Sequence, residues 1–222
     1  MALAIDRQAQ SRPFDPPESC RLCLRLADFR ECWQRKEPEW HNAPVSSFGP
    51  QSARLLVVGL APGLRGANRT GRPFTGDYAG DLLYATLIKY GFAAGRYDAR
   101  PDDSLRMVDA AITNAVRCVP PDNKPTGQEI NTCRQFLTAT LDHFHEAEAI
   151  LALGRIAHDS ALKALGIRLK DAPFGHGAMH VAGRRRLYDS YHCSRYNTNT
   201  GRLTAEMFEA VLHRIRDDLG EG

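Results

Sequence analysis

The sequence predicts an α/β fold, a three-layer α/β/α sandwich on a central four-stranded parallel sheet. Three observations carry this. Four short strand-like runs occupy 54–60, 110–116, 149–153 and 186–191. Helical patterns stand between them at 81–90, 126–145 and 154–165, and a last one starts at Thr204. Strands alternating with helices feed a parallel sheet covered on both faces. Finally, Leu55-Leu56-Val57-Val58 is apolar at every position, as a strand buried on both sides must be.

The elements follow in order. A chain of 222 residues, 43% hydrophobic and 25% charged, suits one domain with a sizeable core. Residues 1–16 are read as a flexible tail and 17–222 as a single domain. The opening residues lack the apolar segment of a secretory signal, and no run approaches the ~20 apolar residues of a membrane span, so a cytoplasmic protein with no membrane partner is expected. The first strand leads into a long irregular stretch, 59–80, before the helix at 81–90. After the second strand, Thr126-x-x-Glu129 is a capping box that starts the next helix. Ile130, Cys133, Leu137, Leu141 and Phe144 share one face of it. Gly154 follows the third strand and opens the helix at 154–165. Thr204 caps the last helix, in which Phe208, Val211, Leu212, Ile215 and Leu219 form an apolar stripe. No repeat or linker divides the chain.

The stretch GLAPGLRGANRTGRPFTGDYAG, 59–80, carries the most chemistry. It leaves the carboxyl end of a strand, where open α/β sheets bind ligands. A loop this long in a compact domain is usually functional. Its glycines let backbone approach a ligand closely. Arg65, Arg69 and Arg72 bring charge suited to phosphate, Phe74 offers a flat ring, and Asp77 is the single acid. The G-x-G-x-x-G spacing of dinucleotide sites is absent. The combination suits a nucleobase with its phosphates.

This stretch resembles the first motif of the uracil-DNA glycosylase superfamily, and in detail its family 5 (type B) members. The resemblance continues through NAVRCVPPDNKPT (114–126), LGRIAH (153–158), FGHGAMH (174–180) and SYHCSRYNTNTGRLT (190–204), five blocks in the expected order. It implies a glycosylase that flips uracil, and other deaminated bases such as hypoxanthine, out of DNA and leaves an abasic site. Phe74 matches the ring that stacks on the base, with Gly59 and Leu60 beside it. His192 matches the histidine that hydrogen-bonds uracil O2 and stabilises charge on the leaving base. Most superfamily members carry Asp, Asn or Glu directly after the first glycine. Here that position is Leu60, a departure typical of family 5 that removes the usual water-activating residue. Asp77 and Asn123 are the remaining candidates, Asp77 to polarise water and Asn123 to position water or base. Asn114 is expected to read the uracil edge. Arg65, Arg69, Lys124, Arg195 and Asn197 are expected along the DNA. No lysine stands out as a Schiff-base nucleophile, so a monofunctional enzyme is predicted.

Six cysteines include a C-x2-C pair, Cys20 and Cys23, and two more, Cys118 and Cys133, with fourteen residues between them. A cytosolic chain of this length seldom uses cysteine for disulfides, so metal comes first. Zinc and iron–sulfur sites both use C-x2-C, and the second short knuckle of a zinc ribbon is missing. Four thiolates from distant segments suit a 4Fe-4S cluster. The resemblance implies that cluster on Cys20, Cys23, Cys118 and Cys133, with an architectural role. Cys32 is read as a packed thiol.

Net charge is only +3, so DNA binding must come from local patches. Besides the residues above, Arg184-Arg185-Arg186 is read either as a solvated turn or as a DNA contact. A monomer is expected. The competing reading is a catalytically weak, cluster-bearing protein that binds damaged DNA without excision, and a third is a redox protein.

Overall fold

The computed structural model describes residues 14–220. In chain order they form α1 (Leu24–Lys36), β1 (Leu55–Gly59), α2 (Ala67–Thr70), α3 (Tyr78–Lys89), β2 (Ala93–Ala94), β3 (Arg106–Met107), β4 (Ala110–Asn114), α4 (Gly127–His143), β5 (Ala149–Leu153), α5 (Arg155–Ala164), β6 (Met179–Ala182), β7 (Arg185–Ser190), α6 (Arg195–Asn199) and α7 (Ala205–Leu219). The main sheet runs β4-β1-β5-β7-β6. β4, β1, β5 and β7 are parallel and correspond to the four expected strands. β6 pairs antiparallel with β7 and makes the sheet five-stranded, one strand more than the sequence suggested. It is a short edge strand whose Val181 is 77% exposed, so it lacks the nearly continuous burial of the others.

Alternation along β1 builds the layers. Leu55 and Val57 face Leu83, Leu87, Phe208 and Leu212 of α3 and α7. Leu56 and Val58 face Leu137, Leu141, Ala157 and Ala161 of α4 and α5. Both faces are dry, which is why every residue of β1 is apolar. α4 begins with the expected capping box: Glu129 N–H donates to Thr126 Oγ1 at 3.2 Å, and Thr126 N–H donates to Glu129 Oε2 at 2.7 Å. α3 starts at Tyr78, three residues before the expected 81. Position 80, inside this helix, has to be glycine, because a Cβ there would sit 1.9 Å from the Phe74 carbonyl oxygen. No helix among the described residues is long and apolar enough to cross a membrane.

Of the expected tail, residues 1–13 lie outside the described residues, and Phe14, Asp15 and Pro16 correct the rest of that reading: all three are buried. Phe14 stacks on His143 with ring centroids 3.9 Å apart. Asp15 accepts from Arg117 Nη1 at 2.5 Å, and Arg117, 1% exposed, also donates to Ser47 Oγ and Thr140 Oγ1. Asp15→Asn leaves a buried guanidinium without its counter-charge. It is expected to destabilise the fold by about 3–5 kcal/mol in urea unfolding. A change below about 1 kcal/mol would mean that the pair is not a fastening of this segment.

Candidate active site

The carboxyl ends of β1, β4 and β7 open on one cleft of about 600 Å³. Its walls include Leu60 after β1, Asn114 at the end of β4, His192 after β7, and Arg65, Phe74, Asp77, Tyr78, Asn123, Ser194 and Arg195. Gly59 lies beneath it. A Cβ on Gly59 would come within 2.4 Å of Asn114 Oδ1 and 2.7 Å of Phe74 Cζ, so the missing side chain is what lets the ring and the amide meet there. Phe74 is 7% exposed and sits at φ 54°, in the left-handed region that a bulky residue seldom adopts. Its ring lies 5.9 Å from that of His192, with 29° between the planes. Asn114 Oδ1 is buried and has no hydrogen-bond partner among the described residues.

Asp77 precedes the first residue of α3, yet its side chain makes no cap bond to that helix. It turns the other way, over Gly63 and Gly66. A Cβ on Gly66 would lie 2.0 Å from Asp77 Cγ, and one on Gly63 2.5 Å from Asp77 Oδ2. Burial pushes the Asp77 carboxyl above the usual carboxylate range, opposed by the Ala67 backbone N–H and by Arg69. The glycines of this loop therefore make a cradle for a carboxylate rather than for a phosphate. Asn123 is exposed and held at φ 56° in a 3-10 turn, Pro121–Asn123.

His192 is pushed down to about 4 by burial alone, so its imidazole is neutral at pH 7. Asn197 Nδ2 donates to the His192 carbonyl at 2.8 Å and ties α6 to the end of β7. Arg195 reaches back over the Tyr78 ring at 5.1 Å, bridging the cleft mouth.

Cys20, Cys23, Cys118 and Cys133 converge on a second, small pocket, otherwise lined by Pro16, Leu22, Leu26, Val116, Thr132 and Phe136. The Arg117 backbone N–H donates to Cys133 Sγ at 3.4 Å. Burial raises the thiols of Cys23 to about 11 and Cys118 to about 12, and mutual proximity adds to it. Cys32 is half-buried on α1 and Cys193 fully buried.

The sequence profile described as "Uracil DNA glycosylase superfamily" matches residues 46–216. The chain belongs to that superfamily. Similar proteins include the type-5 uracil-DNA glycosylase of Thermus thermophilus, 46% identical over 201 residues that cover 87% of this chain and 91% of that protein. The type-5 uracil-DNA glycosylase of Pyrobaculum aerophilum is 39% identical over 206 residues, covering 91% and 90%. The type-4 uracil-DNA glycosylase of Archaeoglobus fulgidus is 35% identical over 114 residues, covering 51% and 49%.

Within this member of the uracil-DNA glycosylase superfamily, the basic candidates separate. Arg65 and Arg195 line the cleft, and Arg69 and Lys124 are exposed outside it. Asn197 lines a neighbouring recess of about 270 Å³ with Arg155, Phe174, Tyr191 and Arg202. Arg72 corrects the sequence reading: it is buried, its guanidinium bound twice to Asp103 at 2.8 Å, and it faces no phosphate. Arg185 is also buried. It donates to the carbonyls of Leu141, Phe144 and Ala147, closing the last turn of α4, and lies at the amino end of β7, away from the cleft. Arg184, in the turn after Gly183, and Arg186 are exposed, so Arg185 alone departs from the solvated-turn reading, and no residue of the run lines the cleft.

FGHGAMH and LGRIAH pack behind His192, a role the sequence alone did not reveal. His158 Nδ1 lies 2.7 Å from Asp189 Oδ1, and its Nε2 lies 2.9 Å from the Ala172 carbonyl. Both partners accept, so both ring nitrogens carry protons and His158 is an imidazolium. Its pKa is raised, the Asp189 bond overcoming burial. His180 Nε2 stands 3.4 Å from the other Asp189 oxygen. These three offer atoms mutually within 4.8 Å. The 2.7 Å contact is nevertheless a hydrogen bond, shorter than the roughly 3.3 Å between two ligands at about 2.0 Å on a tetrahedral metal. The group is an ion pair that anchors β7 three residues before His192. The signal in the sequence was Asp189, the one acid in the strand Arg185–Ser190.

Proposed function

We infer that this protein is a monofunctional uracil-DNA glycosylase of the type-5 kind, which hydrolyses the N-glycosidic bond of a flipped uracil and leaves an abasic site. The observation that carries the reading is one cleft that joins a flat ring, an amide oxygen with no partner among the described residues, and a neutral histidine. Phe74 stacks on the extruded base and recovers part of its lost stacking. The Asn114 carboxamide pairs with an N–H beside a carbonyl. Uracil presents that pair at N3 and O4, and hypoxanthine presents it at N1 and O6, whereas cytosine and adenine present a bare ring nitrogen beside an amino group. The edge thus admits hypoxanthine as a second substrate, while guanine and thymine carry the same pair and differ from these two by a 2-amino and a 5-methyl group. His192 donates to O2 as negative charge builds on the base. Such a donor acts most strongly in a dry pocket.

Asp77 takes the water. The water oxygen bonds to C1′, the N1–C1′ electron pair leaves with the base, and the water proton passes to the Asp77 carboxylate. Asn123 holds the water or the base by hydrogen bonds, because an amide has no proton-accepting role at neutral pH. Gly59 and Leu60 form the floor. Arg65, Arg69, Lys124, Arg195 and Asn197 follow the DNA strand from the cleft outward. Among the described residues no lysine lines the cleft to form a Schiff base with the sugar.

The four cysteines fit a 4Fe-4S cluster. The donor set is all thiol, the walls are apolar, and a backbone N–H is already aimed at one sulfur. Among the described residues no three of these sulfurs lie mutually within 4.8 Å, while sulfurs on one tetrahedral zinc stand roughly 3.8 Å apart at Zn–S of about 2.3 Å. The spacing favours a cluster over a single ion. Bound there, it would supply a cross-link between the amino-terminal segment, the loop at 118 and α4.

The test is an excision assay. Anaerobically prepared protein is incubated with duplexes that carry one uracil or one hypoxanthine, then half of each sample is treated with hot alkali. Strand cleavage only after alkali, from protein with a broad absorbance near 400 nm, is the expected result. Cleavage before alkali would replace this reading with a lyase. No cleavage from folded, iron-loaded protein would leave a damage-binding protein.

A further inference from the structure

We propose that the excursion between β2 and β3 is a brace that fixes the Phe74 ring, with Tyr97 and Asp103 as its positioning residues. This rests on the reading of Phe74 as the stacking wall for the base. A phenylalanine at φ 54° holds a sparsely populated conformation, so its neighbours must impose it. Three contacts do so. The Tyr97 hydroxyl donates to the Phe74 carbonyl at 3.1 Å and accepts from Gly76 N–H at 3.3 Å, clasping both sides of the residue with one oxygen. The Tyr84 hydroxyl donates to the Pro73 carbonyl at 2.6 Å. Arg72 Nε donates to Thr75 Oγ1 at 2.7 Å, closing the turn around Phe74.

The brace is itself held from the excursion. Asp103, with no side-chain exposure, takes both terminal nitrogens of Arg72 at 2.8 Å. Its two oxygens also accept from the N–H groups of Asp98 and Leu105, which sets the loop that carries Tyr97. Arg72 lies between the rings of Phe48, Tyr84 and Tyr97, at 5.5, 5.7 and 5.9 Å. The chain between β2 and β3 thus reaches the turn through two separate groups, one phenol and one carboxylate. Neither lines the cleft. If Phe74 left this conformation, its ring would leave the contact over Gly59 and His192. The excursion therefore sets the stacking wall without touching the base.

A double-mutant cycle tests this in single-turnover excision of uracil from duplex DNA. Tyr97→Phe removes one oxygen and keeps the ring. It is expected to slow excision about tenfold, as the loss of two hydrogen bonds warrants, with binding of undamaged duplex unchanged. Tyr97→Phe combined with Phe74→Ala should be no slower than Phe74→Ala alone, because the brace acts only through that ring. Additive losses would overturn the proposal. If Phe74→Ala excises as fast as the parent, the stacking reading falls first and the brace with it. Asp103→Asn, put through the same cycle, gives the answer if Tyr97→Phe does not fold.

Discussion

Asp77→Asn is expected to lower the single-turnover rate of uracil excision by about 10²–10⁴-fold, with binding of uracil-containing duplex changed only a few-fold. The substitution keeps the size and most of the hydrogen-bonding geometry of the side chain and removes its charge and its basicity. Both matter here. The leaving base draws electrons from C1′, so positive charge grows on the sugar while the water must lose a proton. A carboxylate partly withdrawn from solvent serves both needs, and burial already raises its proton affinity. The cradle supplies an independent check. Gly66→Ala leaves the carboxylate ionised but puts a methyl 2.0 Å from Asp77 Cγ, so the side chain must move. A loss approaching that of Asp77→Asn is expected, since displacement of a reacting group by about 1 Å is enough to cost roughly 10²-fold. Asn123→Ala should cost less than either. An Asp77→Asn enzyme within tenfold of the parent, beside a hundredfold loss in Asn123→Ala, would move the water to Asn123.

Much of this architecture was legible because it is written in short-range patterns. Four strand-like runs, a capping box and an apolar stripe on α7 each encode one local decision, and the layers follow once both faces of β1 must be buried. What escaped was encoded across distance. β6 is an edge strand with Val181 in solvent, so it carries no burial signature. Arg72 looks like a phosphate ligand from its neighbours in sequence, and only the fold brings Asp103, thirty-one residues later, to neutralise it. Phe14 and Asp15 lie in a proline-flanked, polar-looking segment, and only the approach of Arg117 and His143 buries them. At the cleft, the residue types were readable but not the reason for their glycines. The glycines of the loop read as close approach of backbone to a ligand, whereas Gly63 and Gly66 make room for the Asp77 side chain. The resemblance to family 5 located Phe74, Asp77 and His192, whereas the Asp189–His158 pair that anchors β7 behind His192 had no sequence signal beyond an acid in a strand.

His192→Ala is expected to reduce excision by about 10²–10³-fold, the size of effect found when a single preorganised donor to a developing anion is lost. The pH dependence separates this from mere loss of packing. His192 is held near 4, so the parent enzyme should show no inflection at the ordinary histidine value of about 6.5. Activity should instead rise from acid pH as the Asp77 carboxyl ionises, above the usual carboxylate range, and then stay level through neutrality. An inflection near 6.5 that vanishes in His192→Ala would mean that the imidazole titrates normally and acts as a cation. Stability gives a second readout. A histidine whose folded pKa is depressed contributes nothing unfavourable above its unfolded value, and stability is lost as pH falls from about 6.5 toward 4, because the unfolded chain takes the proton first. His158 runs the other way. Its raised pKa stabilises the fold fully below its unfolded value, and that contribution fades as pH rises through the folded one. Removing His192 should therefore flatten the acid side of the stability profile and leave the fall that His158 contributes toward higher pH as it was.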